Sequence, residues 1–188
     1  DIFSYAKGHD AYYQKIYHDF NENSLWEDLP IVDQKIFWEQ HPYRPMENVS
    51  SIVFRSGGTT GKPKSSVFSN EEWHAFTKNF GMGLAQSGLK ANDRVANLFF
   101  AGDMYASFLF IKDSLENAPF PLQHFPIGGA LAHENVVQTL SDLPINVLAG
   151  VPSSLVQLAK YILSKKISLK IDTIIFGGEF LFKNQAQF

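Results

Sequence analysis

The spacing of apolar and polar positions changes character near residue 50. Residues 1–48 are rich in Tyr, His, Asn and Pro and hold only short helical periodicity, around Tyr12–Phe20 and Asp33–Gln40. They predict an irregular, partly helical leading subregion, with "HPYRPMEN" (41–48) as the joint to the remainder of the chain. From 49 to 188 the pattern tightens. "SIVFR" (51–55) and the segment 65–69 read as two strands around a glycine-rich loop. Asn70 is placed to cap a helix whose first turn holds Glu71 and Glu72 and whose apolar positions are Trp73, Phe76, Phe80 and Leu84. "SGLKANDR" (87–94) ends it.

An alternation then begins. "RVANLFF" (94–100) predicts a strand, about 103–115 a helix, "PFPL" (119–122) a weak strand and 128–140 a helix. "INVLAG" (145–150) predicts a strand and 152–166 a helix, with Pro152 in its first turn and Leu155, Leu158, Ala159, Ile162 and Leu163 on one face. "IDTIIFGGE" (171–179) is a strand running into a glycine turn. Strands separated by helices at this spacing specify an α/β fold, a mainly parallel sheet flanked by helices. Ligands of such sheets sit beyond the carboxyl ends of the strands. Both glycine-bearing segments, 57–64 and 177–179, fall there if their strands share an edge.

Composition narrows the classes. The 188 residues are 45% hydrophobic and 19% charged, enough for one substantial core. A net charge of −3 gives no footprint for nucleic acid or for an anionic membrane surface. No apolar run reaches the roughly 18 residues a membrane span needs. The absence of cysteine removes disulfides and thiolate metal sites and fits a reducing compartment, so cytoplasmic placement is expected. The 17 Phe residues are read first as an aromatic core. His9, His18, His41, His74, His124 and His133 are scattered, and no His/Asp/Glu spacing among them reads as a metal site.

The chemistry concentrates in "FRSGGTTGKPKSSVF" (54–68). Glycines expose consecutive backbone N–H groups, and Thr59, Thr60, Lys62 and Lys64 add hydroxyl donors and positive charge; phosphate uses all three. The spacing is not that of a Walker A loop, because Gly57 to Gly61 is one residue short and Pro63 follows Lys62. No helix opens directly after the glycines, so the dinucleotide fingerprint fails as well. A solvent-exposed hairpin turn is the plainer alternative.

"SGGTTGKPK" (56–64) resembles the phosphate-binding signature of the adenylate-forming superfamily of acyl-CoA synthetases, luciferases and peptide-synthetase adenylation domains. Segments 93–110, 145–161 and 171–181 resemble its phenylacetate–CoA ligase branch more specifically. The resemblance implies that the chain is part of the large N-terminal domain of such an enzyme, which activates a carboxylic acid with ATP and passes the acyl group to a thiol, of CoA or of a carrier protein. It implies that Ser56, Gly57, Gly58, Thr59, Thr60, Gly61, Lys62 and Lys64 surround the β- and γ-phosphates. Gly177, Gly178 and Glu179 match a turn against adenine or the acyl group. Phe99, Phe100, Ala101 and Gly102 match a segment lining the acyl pocket, with core packing as their alternative. Ser65 departs from the glycine common after the last lysine. The acid that binds Mg²⁺, the ribose-binding aspartate and the catalytic lysine are expected beyond Phe188, so the visible chain is expected to be a fragment, inactive alone. A non-catalytic nucleotide-binding or scaffold module, and a different nucleotide-handling enzyme such as a kinase, are the other readings. The acid's identity and the oligomeric state are not encoded in these motifs.

Overall fold

Asp10 shows how the leading residues order themselves. Its carboxylate accepts from the N–H groups of Tyr12 and Tyr13, which starts helix α2 (Ala11–Ile16) where α1 (Ile2–His9) ends. Asp33 does the same for α3 (Gln34–Gln40) through Ile36 N–H. The computed structural model describes residues 2–41, 43–56 and 63–187, and these form two compact units, Asp1–Pro45 and Met46–Phe188. The first is held by aromatic contacts, with His41 stacked 4.1 Å from Phe37 and Phe3 5.3 Å from Tyr17. Its His41 Nε2 lies 2.8 Å from Asp10 Oδ2. Burial opposes ionisation of Asp10, but hydrogen bonds from His41 and the Tyr13 and Tyr12 amides outweigh it and hold its carboxyl below the ordinary value.

The second unit opens with β1 (Ser51–Arg55) and β2 (Ser65–Ser69), an antiparallel pair in register from Ser51↔Ser69 to Arg55↔Ser65. This hairpin is a separate two-stranded sheet; it does not share an edge with the parallel strands. It packs instead on α4 (Asn70–Gly83) through Phe54, whose ring lies 4.6 Å from that of Trp73. The cap of α4 is Ser69 rather than Asn70. The Ser69 hydroxyl accepts from Glu72 N–H, and Glu72 Oε2 accepts from Ser69 N–H, a reciprocal capping box. The Asn70 amide is already donated to Ser50 O.

Four parallel strands complete the unit: β3 (Arg94–Asn97), β4 (Gln123–Pro126), β5 (Val147–Gly150) and β6 (Thr173–Phe176), in spatial order β4-β3-β5-β6. Between them run α5 (Ser107–Glu116), α6 (His133–Asp142) and α7 (Pro152–Ser164). Strand alternation divides the core in two. Val95, Val147 and Ala149 face Ile111 and Leu115 of α5, while Ala96 and Leu148 face Val136, Val137 and Leu140 of α6 and Leu155 and Leu158 of α7. A sheet covered on both faces explains why its strands read as nearly continuous apolar runs.

Among the boundaries that differ from the sequence pattern, three have evident local causes. The strand expected at 119–122 forms at 123–126, because Pro119 and Pro121 have no N–H for a ladder; as an edge strand, β4 accommodates Pro126. The helix expected from 128 starts at His133, since the Gly128 and Gly129 amides are spent on Asn97 O and Phe99 O. The helix expected from about 103 starts at Ser107, because Gly102, Asp103 and Met104 all have positive φ. Among the described residues no helix is long and apolar enough to cross a membrane.

Candidate functional site

Of the loop motif, Gly57, Gly58, Thr59, Thr60, Gly61 and Lys62 lie outside the described residues. Its two ends are described, and they meet. Ser56 N–H donates to Lys64 O (2.9 Å), and Lys64 N–H donates to Ser56 Oγ (3.0 Å), closing a neck immediately beyond the Arg55↔Ser65 pair. The neck is anchored on its β1 side. Arg55 N–H donates to Met104 O (2.9 Å), and Arg55 Nη2 donates to Asp103 Oδ1 (2.9 Å). Although the hairpin belongs to another sheet, its neck therefore stands beside the segment that leaves the carboxyl end of β3.

That segment is shaped by Asn97, a residue the sequence pattern passed over. Fully buried at the end of β3, it donates Nδ2–H to Phe108 O (3.0 Å) and accepts from Phe99 N–H through Oδ1 (3.2 Å). A polar residue interrupting the apolar run 95–100 was the available signal. The chain then reverses, and the four candidate acyl-site residues separate in environment. Phe99 packs in the core beside Ile111 and Leu115, whereas Phe100 is 44% exposed and meets Tyr105 edge-on at 5.6 Å. Ala101 and Gly102 are exposed on the same turn. Gly129 of the neighbouring crossover lies so close that an added Cβ would stand 2.6 Å from Leu98 O and 3.2 Å from Phe100 N. A side chain there would push the two loops apart.

The remaining strand ends join the same border of the sheet. Gly177, Gly178 and Glu179 follow β6, with Gly178 at φ +81° beside Val151. Val151 precedes α7 and has no side chain able to cap it; Glu179 supplies the cap from a distance in sequence, its Oε2 accepting from Ser153 N–H (2.9 Å). In this arrangement the Glu179 carboxylate is engaged with the helix terminus. The Ser56–Lys64 neck is tied to β3, β3 to β5 by Leu98 N–H to Ala149 O (2.7 Å), and β5 to the Glu179 turn through Val151 and Ser153. All the candidate residues that are described fall on the carboxyl side of the parallel sheet, the place where such sheets bind ligands.

The neck carries a hydroxyl and a lysine, its two amides being spent on closing it; the turn after β3 offers exposed aromatic surface. Among the described residues no group of three or more His, Cys, Asp or Glu side chains could hold a metal ion. Arg55 and Asp103 were not found by sequence reasoning. They are 48 residues apart and ordinary in composition, and only the fold pairs them.

The α/β architecture is shared with solved structures of acyl-CoA ligases. The chain superposes on 2-hydroxyisobutyryl-CoA ligase in complex with 2-HIB-AMP and CoA in the thioesterification state, with a TM-score of 0.77 and 20% identity over 95% of this chain and 41% of that one. An open conformation of that ligase, also with 2-HIB-AMP and CoA, gives 0.77 and 19% over 95% and 45%. A long-chain-fatty-acid-CoA ligase, FadD1, from Archaeoglobus fulgidus gives 0.53 and 15% over 70% and 25%. The chain thus spans 41–45% of the length of the hydroxyisobutyryl-CoA ligase chains. No protein-family model matches it, and no curated protein matches it. At these identities the likeness establishes the fold.

Proposed function

We propose that this chain is the nucleotide-binding portion of a cytoplasmic ligase of the phenylacetate–CoA ligase type, with residues 49–188 carrying the function. A substrate carboxylate oxygen attacks the α-phosphorus of ATP, the bond to the β-phosphate breaks, and pyrophosphate leaves. A thiol, of CoA or a carrier protein, then attacks the acyl carbon and AMP leaves. The observation that carries this reading is the "SGGTTGKPK" motif, set on a hairpin whose neck is held against the carboxyl side of a parallel sheet of the acyl-CoA ligase fold. In this assignment Ser56–Lys64 bind the β- and γ-phosphates and stabilise the charge that builds on pyrophosphate. Lys64 and the Ser56 neck set the loop's base. The exposed ring of Phe100, braced by Tyr105, favours an aryl or arylacetic acid. Gly177–Glu179 border the adenine or acyl group. Mg²⁺ is expected to accompany ATP, but the described residues offer it no ligand cluster, and no step is assigned to it.

These 188 residues alone are expected not to complete adenylation, because the reaction depends on several charges positioned as a unit. A non-catalytic nucleotide-binding module of the same fold is the second reading, because the same loop motif can hold an anion without catalysing its transfer. Acid-dependent exchange of pyrophosphate into ATP, measured with a panel of carboxylic acids on the longest natural protein and on the 188-residue chain, separates them. Exchange by the natural protein only is the expected result. ATP binding without exchange in either identifies the module; robust exchange by the 188-residue chain means that its own residues complete the catalytic set. Phosphoryl transfer to another acceptor overturns both readings.

A further inference from the structure

We infer that Arg55 and Asp103 are positioning residues, a clasp that sets the loop neck against the turn after β3 and thereby fixes the spacing between the two substrates' binding segments. The inference rests on the acyl-adenylation reading and names a pair that the motif does not contain. Three observations converge on the same few atoms. The guanidinium–carboxylate contact is 2.9 Å, and the Arg55 amide donates to the carbonyl of the next residue, Met104, also at 2.9 Å. Asp103 and Met104 both adopt left-handed backbone, φ 44° and 62°, which non-glycine residues hold only where their surroundings compel it. That conformation is what turns the Met104 carbonyl and the Asp103 carboxylate toward one partner.

Stability is a poor account of this arrangement. The side chains are 40% and 62% exposed, and ion pairs so open to solvent contribute little to folding. Geometry is the better account. Arg55 immediately precedes Ser56, whose amide and hydroxyl close the neck, and Asp103 follows the exposed Phe100–Gly102 turn. A shift of either partner is transmitted to both candidate subsites, and small misplacements of reacting groups carry large kinetic effects.

The test uses the natural protein with Arg55→Ala, Arg55→Lys, Asp103→Asn and the double variant Arg55→Ala/Asp103→Asn. Amide hydrogen exchange at Arg55 and Ser56 reports the clasp directly; acid-dependent pyrophosphate exchange, with KM and kcat separated for acid and ATP, reports its role. Arg55→Ala and Asp103→Asn are each expected to lower kcat/KM about tenfold or more, with faster Arg55 amide exchange and an unfolding midpoint close to that of the parent. The double variant is expected to be no worse than the worse single variant, since both remove one interaction. Arg55→Lys retains the charge and is expected to recover much of the rate. Additive losses, or unchanged kinetics in variants of an active protein, overturn the clasp and leave the adenylation reading standing. No exchange by the parent with any acid overturns both.

Discussion

The imidazole of His124 lies in edge strand β4 with Nε2 buried and without a partner, and the Phe108 ring is 6.4 Å away. Burial pushes its pKa below the ordinary 6.5, the charge of Lys112 adds to this, and Glu116 opposes it. The unfolded chain therefore binds the proton more readily than the folded one. Stability is full above about pH 6.5 and falls as the pH drops toward the lowered folded value. Thermal unfolding midpoints followed from pH 7.5 to 5 are expected to decline less in His124→Phe than in the parent; parallel curves would remove His124 as the cause. Asn146 works at the opposite end of the sheet. Its Nδ2 donates to Asp93 Oδ1 (2.9 Å) and Asp172 Oδ2 (3.2 Å), while its Oδ1 accepts from Arg94 N–H (2.9 Å). It ties the starts of β3, β5 and β6 together, and Asn146→Ala is expected to cost about 1–3 kcal/mol in denaturant unfolding.

Helices α4 and α5 meet through Gly81, where an added Cβ would stand 2.8 Å from Asn117 Cβ and closer still to the Ser114 carbonyl. Trp73 Nε1 donates to Asp113 Oδ2 (2.6 Å) across the same interface. Gly81→Ala is therefore expected to destabilise by about 1–3 kcal/mol through overpacking. Gly83, two residues on in helical geometry with nothing within 4 Å, is the contrasting site; Gly83→Ala is expected to be neutral or to stabilise by up to about 1 kcal/mol. Opposite signs in calorimetry check both. Elements of this kind were legible in sequence where an apolar face repeats: Trp73, Leu84, Leu155 and Leu158 mark α4 and α7, and strands β1 and β2 appear with their expected limits. Their ends were not, because distant groups decide them. Glu179 starts α7, Asn97 ends β3, and the amides of Gly128 and Gly129 are claimed by Asn97 O and Phe99 O before a helix can begin. Helix α1 escaped notice because "IFSYAKGH" buries only Phe3.

At the scale of the molecule, the two strands flanking the glycine-rich loop were legible, whereas the hairpin's relation to the parallel sheet was not. Nothing in the local sequence says that a hairpin of one sheet leans on the turn leaving another. The functional weight of the loop is tested by comparing Lys64, at the neck, with Lys160, on the exposed side of α7. In the natural protein Lys64→Ala is expected to lower pyrophosphate exchange by about tenfold to a hundredfold, and Lys160→Ala to leave it within about twofold at matched thermal stability. Equal effects would deny the loop a phosphate role.

Strand β6 pairs only with β5 among the described residues, and two of its four side chains, Ile174 and Phe176, are 55% and 49% exposed. An apolar strand with one open ladder is an invitation to self-association, so the colloidal behaviour of these 188 residues in solution is expected to depend on it. Shelf life and attainable concentration should respond to a single surface lysine. Ile174→Lys is expected to lower the concentration dependence of light scattering while leaving the circular dichroism spectrum unchanged, and undiminished scattering would place the sticky surface elsewhere.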